Sequence, residues 1–183
     1  MAIQNKVRIG AGEWRSRLLT FPDALGLRPT PDRVRQTLFN WLGQELHGKH
    51  CLDLFAGSGA LGFEALSRGA ASVVMVEQNP AVHRALQDNA ARLQAARGQL
   101  LRMDALRYLA GNTQRFDVIF LDPPFGAGWL EKLLPQLKSH LSEQGLVYAE
   151  AEHAVVDVPG WQTRKHGKAG SVHYHLLECA DEI

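Results

Sequence analysis

Asp122-Pro-Pro-Phe125 follows the apolar run Phe116–Leu121 and joins an acid, two prolines and an aromatic ring. The prolines stiffen the chain directly after a buried strand. Such a loop suits a weak nitrogen nucleophile. The exocyclic amine of a nucleobase has its lone pair delocalised into the ring. The Asp122 carboxylate and the Pro123 carbonyl can accept its two N–H bonds and favour a pyramidal nitrogen. Phe125 can stack on the base, which must be unpaired or flipped out to enter. Transfer is then one in-line displacement, driven by proximity and charge placement.

Upstream stands Gly57-x-Gly59-x-x-Gly62, with Glu77 twenty positions past Gly57. This glycine pattern alone fits two cofactors. A nicotinamide dinucleotide would place its pyrophosphate on the helix N-terminus and its ribose on Glu77. That ligand gains little from Asp53. S-adenosylmethionine carries no phosphate but has a sulfonium, an ammonium and a carboxylate. Asp53 suits the ammonium, Glu77 the ribose hydroxyls and Asp104 the adenine amine. With Asp122, four acids fall at four successive strand ends and favour S-adenosylmethionine.

Those strand ends follow from an alternating pattern. Strands are expected at Cys51–Phe55, Ser72–Glu77, Gln99–Arg102, Phe116–Leu121 and Leu146–Ala151. Helices are expected at Ala60–Arg68, after Asn79-Pro80, near Ala105–Ala110 and at Trp129–His140. The alternation predicts a mostly parallel, doubly wound sheet with ligands at the C-terminal strand ends. Two late strands, Trp161–His166 and Val172–Cys179, predict an antiparallel C-terminal hairpin. Thr30 and Pro31 open a further helix, with Val34, Leu38, Leu42 and Leu46 on its stripe and Arg33 and Arg35 off it.

Bulk properties agree with one domain over residues 1–183, a basic arm (1–29) and a core (30–183). Net charge is only +1, yet residues 1–40 hold seven Lys/Arg against three acids, which points to a polyanionic partner. No apolar run reaches membrane-spanning length, and MAIQNKVRIG lacks a secretion pattern, so a cytoplasmic location is expected. Cys51 and Cys179 are expected as reduced thiols. His173 and His175 share a strand face but have no third ligand nearby in sequence, so no metal is expected.

Asp53-Leu-Phe-Ala-Gly-Ser-Gly59 with Asp122-Pro-Pro-Phe125 resembles a class I, S-adenosylmethionine-dependent amino-methyltransferase of Rossmann-like fold. Gly12-Glu-Trp-Arg-Ser-Arg17, Leu27-Arg-Pro-Thr-Pro-Asp-Arg-Val-Arg35, Leu38-Phe-Asn-Trp-Leu42 and Lys168-Ala-Gly-Ser171 narrow this. Together they resemble the RsmD family. The resemblance implies N2-methylation of one guanine in 16S rRNA, in assembled small-subunit particles, by a monomer. It implies a catalytic Asp122, Pro123, Pro124 and Phe125. The implied cofactor positions are Asp53, Phe55, Gly57, Gly59, Glu77, Gln78, Asp104 and Ala105. Arg15, Arg17, Arg28, Arg33 and Arg35, within a signature that includes Thr30 and Asp32, are expected on RNA phosphates. Ser16 stands where many relatives have glycine. Acid-Pro-Pro-aromatic serves other amines too, so adenine-N6 in DNA is the alternative target.

Overall fold

The structure, a computed structural model, describes residues 4–180. Two strands, β1 (Gln4–Arg8) and β2 (Leu18–Pro22), precede helix α1 (Asp32–Trp41). Then come β3 (His50–Asp53), α2 (Ala60–Ser67), β4 (Ser72–Val76), α3 (Pro80–Leu93), β5 (Gly98–Leu101), α4 (Ala105–Gly111) and β6 (Phe116–Leu121). Helix α5 (Trp129–Leu137), a 3-10 turn, β7 (Leu141–Ala151), β8 (Trp161–Ala169) and β9 (Val172–Cys179) complete the chain.

Seven strands form one sheet in the order β5-β4-β3-β6-β7-β9-β8. The first five are parallel, while β9 runs antiparallel to both β7 and β8. Side chains alternate between the two faces. Cys51, Val73, Met75, Val118 and Phe120 pack on the layer holding α1, α2 and α3. Leu52, Val74, Val76, Ile119 and Leu121 pack on the layer holding α4 and α5. The strand order reverses between β3 and β6, and their C-terminal ends open a crevice there.

The N-terminal arm, read from its composition as extended with short strands, does contain two strands. From Gln4 onward it forms an antiparallel hairpin, with Gln4 opposite Pro22. Val7, Ile9, Trp14, Leu19 and Phe21 are buried in the same cluster as Phe63, Leu66 and Leu86. Buried Asn89 of α3 acts as a substitute strand neighbour. Its Nδ2 donates to Thr20 O at 2.9 Å, and its Oδ1 accepts from Thr20 N at 3.2 Å. At the hairpin turn Gly12 has φ 84°, and a Cβ there would overlap Ser67 backbone, so only glycine fits. Ser16 occupies φ 69°, a left-handed conformation that glycine adopts more readily.

Helix α1 also differs from expectation. Its N-cap is Pro31, and Thr30 makes no capping bond. Gly43 and Gln44 take positive φ and end the helix, leaving Leu46 buried outside it. Asn79 does cap α3, accepting from Ala81 N and Val82 N. Cys51 and Cys179 are free thiols, the first buried and the second exposed. No described helix is long and apolar enough to cross a membrane.

Candidate active site

Four strand ends and one crossing segment enclose a cleft of about 970 Å3, open mouth included. Asp53 ends β3 and is buried, with Oδ2 accepting Gly62 N–H at 3.1 Å. Burial, partly offset by that bond, pushes its carboxyl up to about 7. Gly59 starts α2 at φ 80°, where a Cβ would stand 2.5 Å from the Phe63 ring.

Glu77 follows β4 and turns back on the glycine turn. Its Oε2 accepts Gly57 N–H and its Oε1 accepts Asn79 N–H, each at 3.0 Å. Ser58 Oγ accepts Ala60 N–H, and the Ala56 carbonyl accepts Gly59 N–H. The amides of Gly57, Gly59, Ala60 and Gly62, which a pyrophosphate would draw on, are therefore already bonded. Asp104, after β5, caps α4 through Arg107 N at 3.1 Å and also lines the cleft. Gln78, Ala105 and Phe55 line it as well. Phe55 meets Trp129 edge-on, with centroids 5.2 Å apart.

Asp122, Pro123 and Pro124 line the same cleft. Burial, then the neighbouring Glu150, raise the Asp122 carboxyl well above its ordinary range, with Arg28 opposing. Phe125 is half-buried and, in place of a free face for a base, carries the Arg28 guanidinium 3.7 Å above its ring. Arg28 thus belongs to the cleft wall.

The other arginines separate. Arg33 is exposed at the start of α1. Arg35 must be corrected: it is 3% exposed and not available to phosphate. Its Nε meets Glu64 at 3.2 Å, another nitrogen meets Asp32 at 3.0 Å, and it also donates to the Arg8 carbonyl. Arg15 and Arg17 sit in the hairpin turn. Glu13 N–H bonds Ser67 O there, and Arg17 reaches the Arg92 carbonyl at 3.2 Å. Both acceptors lie at or near the C-terminal ends of α2 and α3, the rim opposite the cleft.

Several lining residues escaped the sequence reading. Ala24, Leu25, Gly26 and Leu27 cross the cleft mouth, where Leu25 is wholly exposed. Trp129 and Thr30 line it too. Glu150 of β7 lies behind Asp122. The signal for Glu150 was an acid inside the otherwise apolar run Leu146–Ala151.

A third histidine does join His173 and His175. Register pairs His166 with His175 across β8 and β9. Yet His175 Nδ1 lies 3.1 Å from Ala149 O, and its Nε2 accepts Val155 N–H at 2.9 Å. The His166 and His175 rings stack 4.7 Å apart and nearly parallel. Burial lowers His175 to about 4. With both its nitrogens taken, the cluster offers no complete ligand set.

The family model described as "Conserved hypothetical protein 95" matches residues 7–178. Ribosomal RNA small subunit methyltransferase D of Escherichia coli is 42% identical over 178 residues, covering 94% of this chain and 90% of that protein. This chain belongs to the RsmD family. The RsmD-family protein of the same name from Haemophilus influenzae is 39% identical, over 96% and 95% of the two chains. A solved structure titled "Putative methyltransferase yhhF from Escherichia coli" superposes with TM-score 0.87 at 42% identity, covering 96% and 98%. The RsmD-family chain therefore has the Rossmann-like methyltransferase architecture expected from its resemblance, with the antiparallel C-terminal hairpin at one edge.

Proposed function

We propose that this protein transfers a methyl group from S-adenosylmethionine to the exocyclic N2 of a guanine in 16S rRNA, within small-subunit particles. The observation that carries this reading is the meeting of the Asp122-Pro-Pro loop with Asp53, Gly57 and Glu77 in one cleft. The names of the E. coli and H. influenzae relatives support ribosomal RNA of the small subunit as the substrate.

The donor set fits a cationic, phosphate-free cofactor. Asp53 and Glu77 occupy turn amides that would otherwise hold phosphate, and they bring negative charge to that place. S-adenosylmethionine, when bound, supplies a methyl on a positively charged sulfur. Asp53 would hold the ammonium and Glu77 the ribose hydroxyls. Asp104 and Ala105, at the start of α4, would face the adenine, with Phe55 and Gln78 completing the wall. The Pro123 carbonyl and Asp122 would accept the two amine N–H bonds and aim the nitrogen lone pair. Phe125 and Arg28, already stacked, would present one cationic aromatic plate to the base and its phosphate.

The test is incubation with labelled cofactor and either particles from an unmethylated strain or DNA, followed by mass spectrometry of the modified nucleoside. N2-methylguanine in particle RNA is the expected product. Label confined to DNA adenine would overturn the rRNA reading. Asp122→Ala should lower the rate by about 10²-fold or more while leaving S-adenosylhomocysteine affinity nearly unchanged.

A further inference from the structure

Asp122 has an acidic neighbour that the alignment of motifs does not explain. Glu150 lies on β7, paired directly beside β6, and is only 3% exposed. The Thr30 hydroxyl stands 3.0 Å from Glu150 Oε1 and 3.4 Å from Asp122 Oδ2. It has one proton and can donate to only one of them. Tyr148 donates its hydroxyl to the same Glu150 Oε1 at 2.6 Å. Thr30 and Asp122 line the cleft, whereas Glu150 does not. A lone carboxylate would be enough to orient an amine, so a second one bridged to it requires a reason.

Two carboxylates joined through one hydroxyl behave as a unit, because a second negative charge in a poorly hydrated place is expensive. The charged and titratable groups facing the unit are Arg28, Asp53 and Tyr148, with Tyr174 opposite Glu150 in the β7–β9 register. Arg28 is the cation nearest Asp122, and Arg35 lies beyond Thr30, donating to its carbonyl at 3.5 Å. Thr30 and Tyr148 both bring hydroxyl donors to Glu150 Oε1, so the single retained proton is assigned to Asp122.

We propose that Asp122 and Glu150 form a one-proton acid pair in which Glu150 takes up, by way of Asp122, the proton released by the substrate amine. This inference rests on the methyl-transfer reading. As the N–C bond forms, the S–C bond breaks and sulfur leaves as a neutral thioether with the electron pair. The nitrogen regains neutrality when its N–H bond breaks and that proton passes to Asp122. The proton Asp122 already held moves to Glu150. The pair goes from one proton to two, and from one negative charge to none, as the positive charge brought on sulfur disappears. Solvent then removes the extra proton. Glu150 acts through Asp122 and touches no substrate atom.

Glu150→Gln tests this, since the amide keeps the size and the acceptor for Tyr148 and Thr30 but cannot take the proton. Carboxyl carbons of the free protein are titrated by NMR, and kcat is followed against pH on small-subunit particles. In the unchanged protein, the Asp122 carboxyl should titrate well above the ordinary carboxylate range. In the variant, Asp122 should show one step at lower pH, because a like charge has gone. The acid limb of kcat, which in the unchanged protein reports the pair taking its second proton, should move up to that Asp122 step, and kcat at neutral pH should fall about tenfold. An ordinary Asp122 titration, the same in the unchanged protein and the variant, would overturn the proposal. So would a fall in kcat with an unmoved acid limb, which is what mere support of the loop predicts. If Glu150→Gln does not fold, Tyr148→Phe serves: losing a donor to Glu150 draws the proton there and lowers the Asp122 step, and an unmoved step overturns the pair. If unchanged enzyme methylates neither particles nor DNA, the proposed activity fails, while the NMR titration still decides the pair.

Discussion

Asp53 is held where its charge is least comfortable. It is 1% exposed, and its carboxyl is raised from 3.8 to about 7. A raised folded-state value means that its contribution to stability is full below the unfolded value near 4 and is lost as pH rises through about 7. A cationic ligand group reverses that preference, because it favours the ionised form. Asp53→Asn should therefore raise stability at pH 8 by on the order of 2 kcal/mol, or roughly 4–8 °C, and the gain should shrink toward pH 4. The same change should weaken S-adenosylhomocysteine binding roughly 10- to 100-fold, read by calorimetric titration. For the unchanged protein, affinity should fall as pH drops through about 7. Equal affinity in both proteins would refute the ammonium role.

At the scale of elements, helix α1 separates two arginines that look alike in sequence. Arg35 enters the core and meets Glu64, which also accepts Gly10 N, Ala11 N and Arg68. Arg35→Ala strands a buried carboxylate network and should cost about 3 kcal/mol in denaturant unfolding. Arg33→Ala should change stability by less than about 0.5 kcal/mol and reduce the salt slope of RNA binding by about one. Strand–helix alternation was legible because periods of 2 and 3.6 are local. Cleft residues at strand ends were legible for the same reason, since topology puts those ends together. Arg35 was misplaced because its partner lies 29 positions away, and a charge at a helix start usually faces water. Glu150 was missed because Thr30 lies 120 positions from it and no local period links them. Short strands were legible in the arm, but its docking was not, because its arginines stood out more than its buried Val7, Ile9, Leu19 and Phe21.

Across the whole molecule, the basic residues occupy two rims. Arg28 lines the cleft and Arg33 is exposed at the start of α1, three positions past the cleft residue Thr30, while Arg15 and Arg17 ride the hairpin turn at the far side. β2 alone spans roughly 14–17 Å between them by its strand rise. Two or three nucleotides held at the cleft, at about 3.4 Å each, would not reach the turn. Arg15→Ala with Arg17→Ala should thus spare a trinucleotide substrate, but lower particle affinity and its salt slope by about two. Equal losses on both substrates would refute the two-rim division. The docking of that hairpin also sets an order of assembly. Trp14 needs Ser67, Thr20 needs Asn89 and Thr30 needs Glu150. A stretch made before its partners is therefore the last to find them, and the cleft closes only when most of the chain has left the ribosome. Until then its arginines trail from an unfinished sheet beside ribosomal RNA.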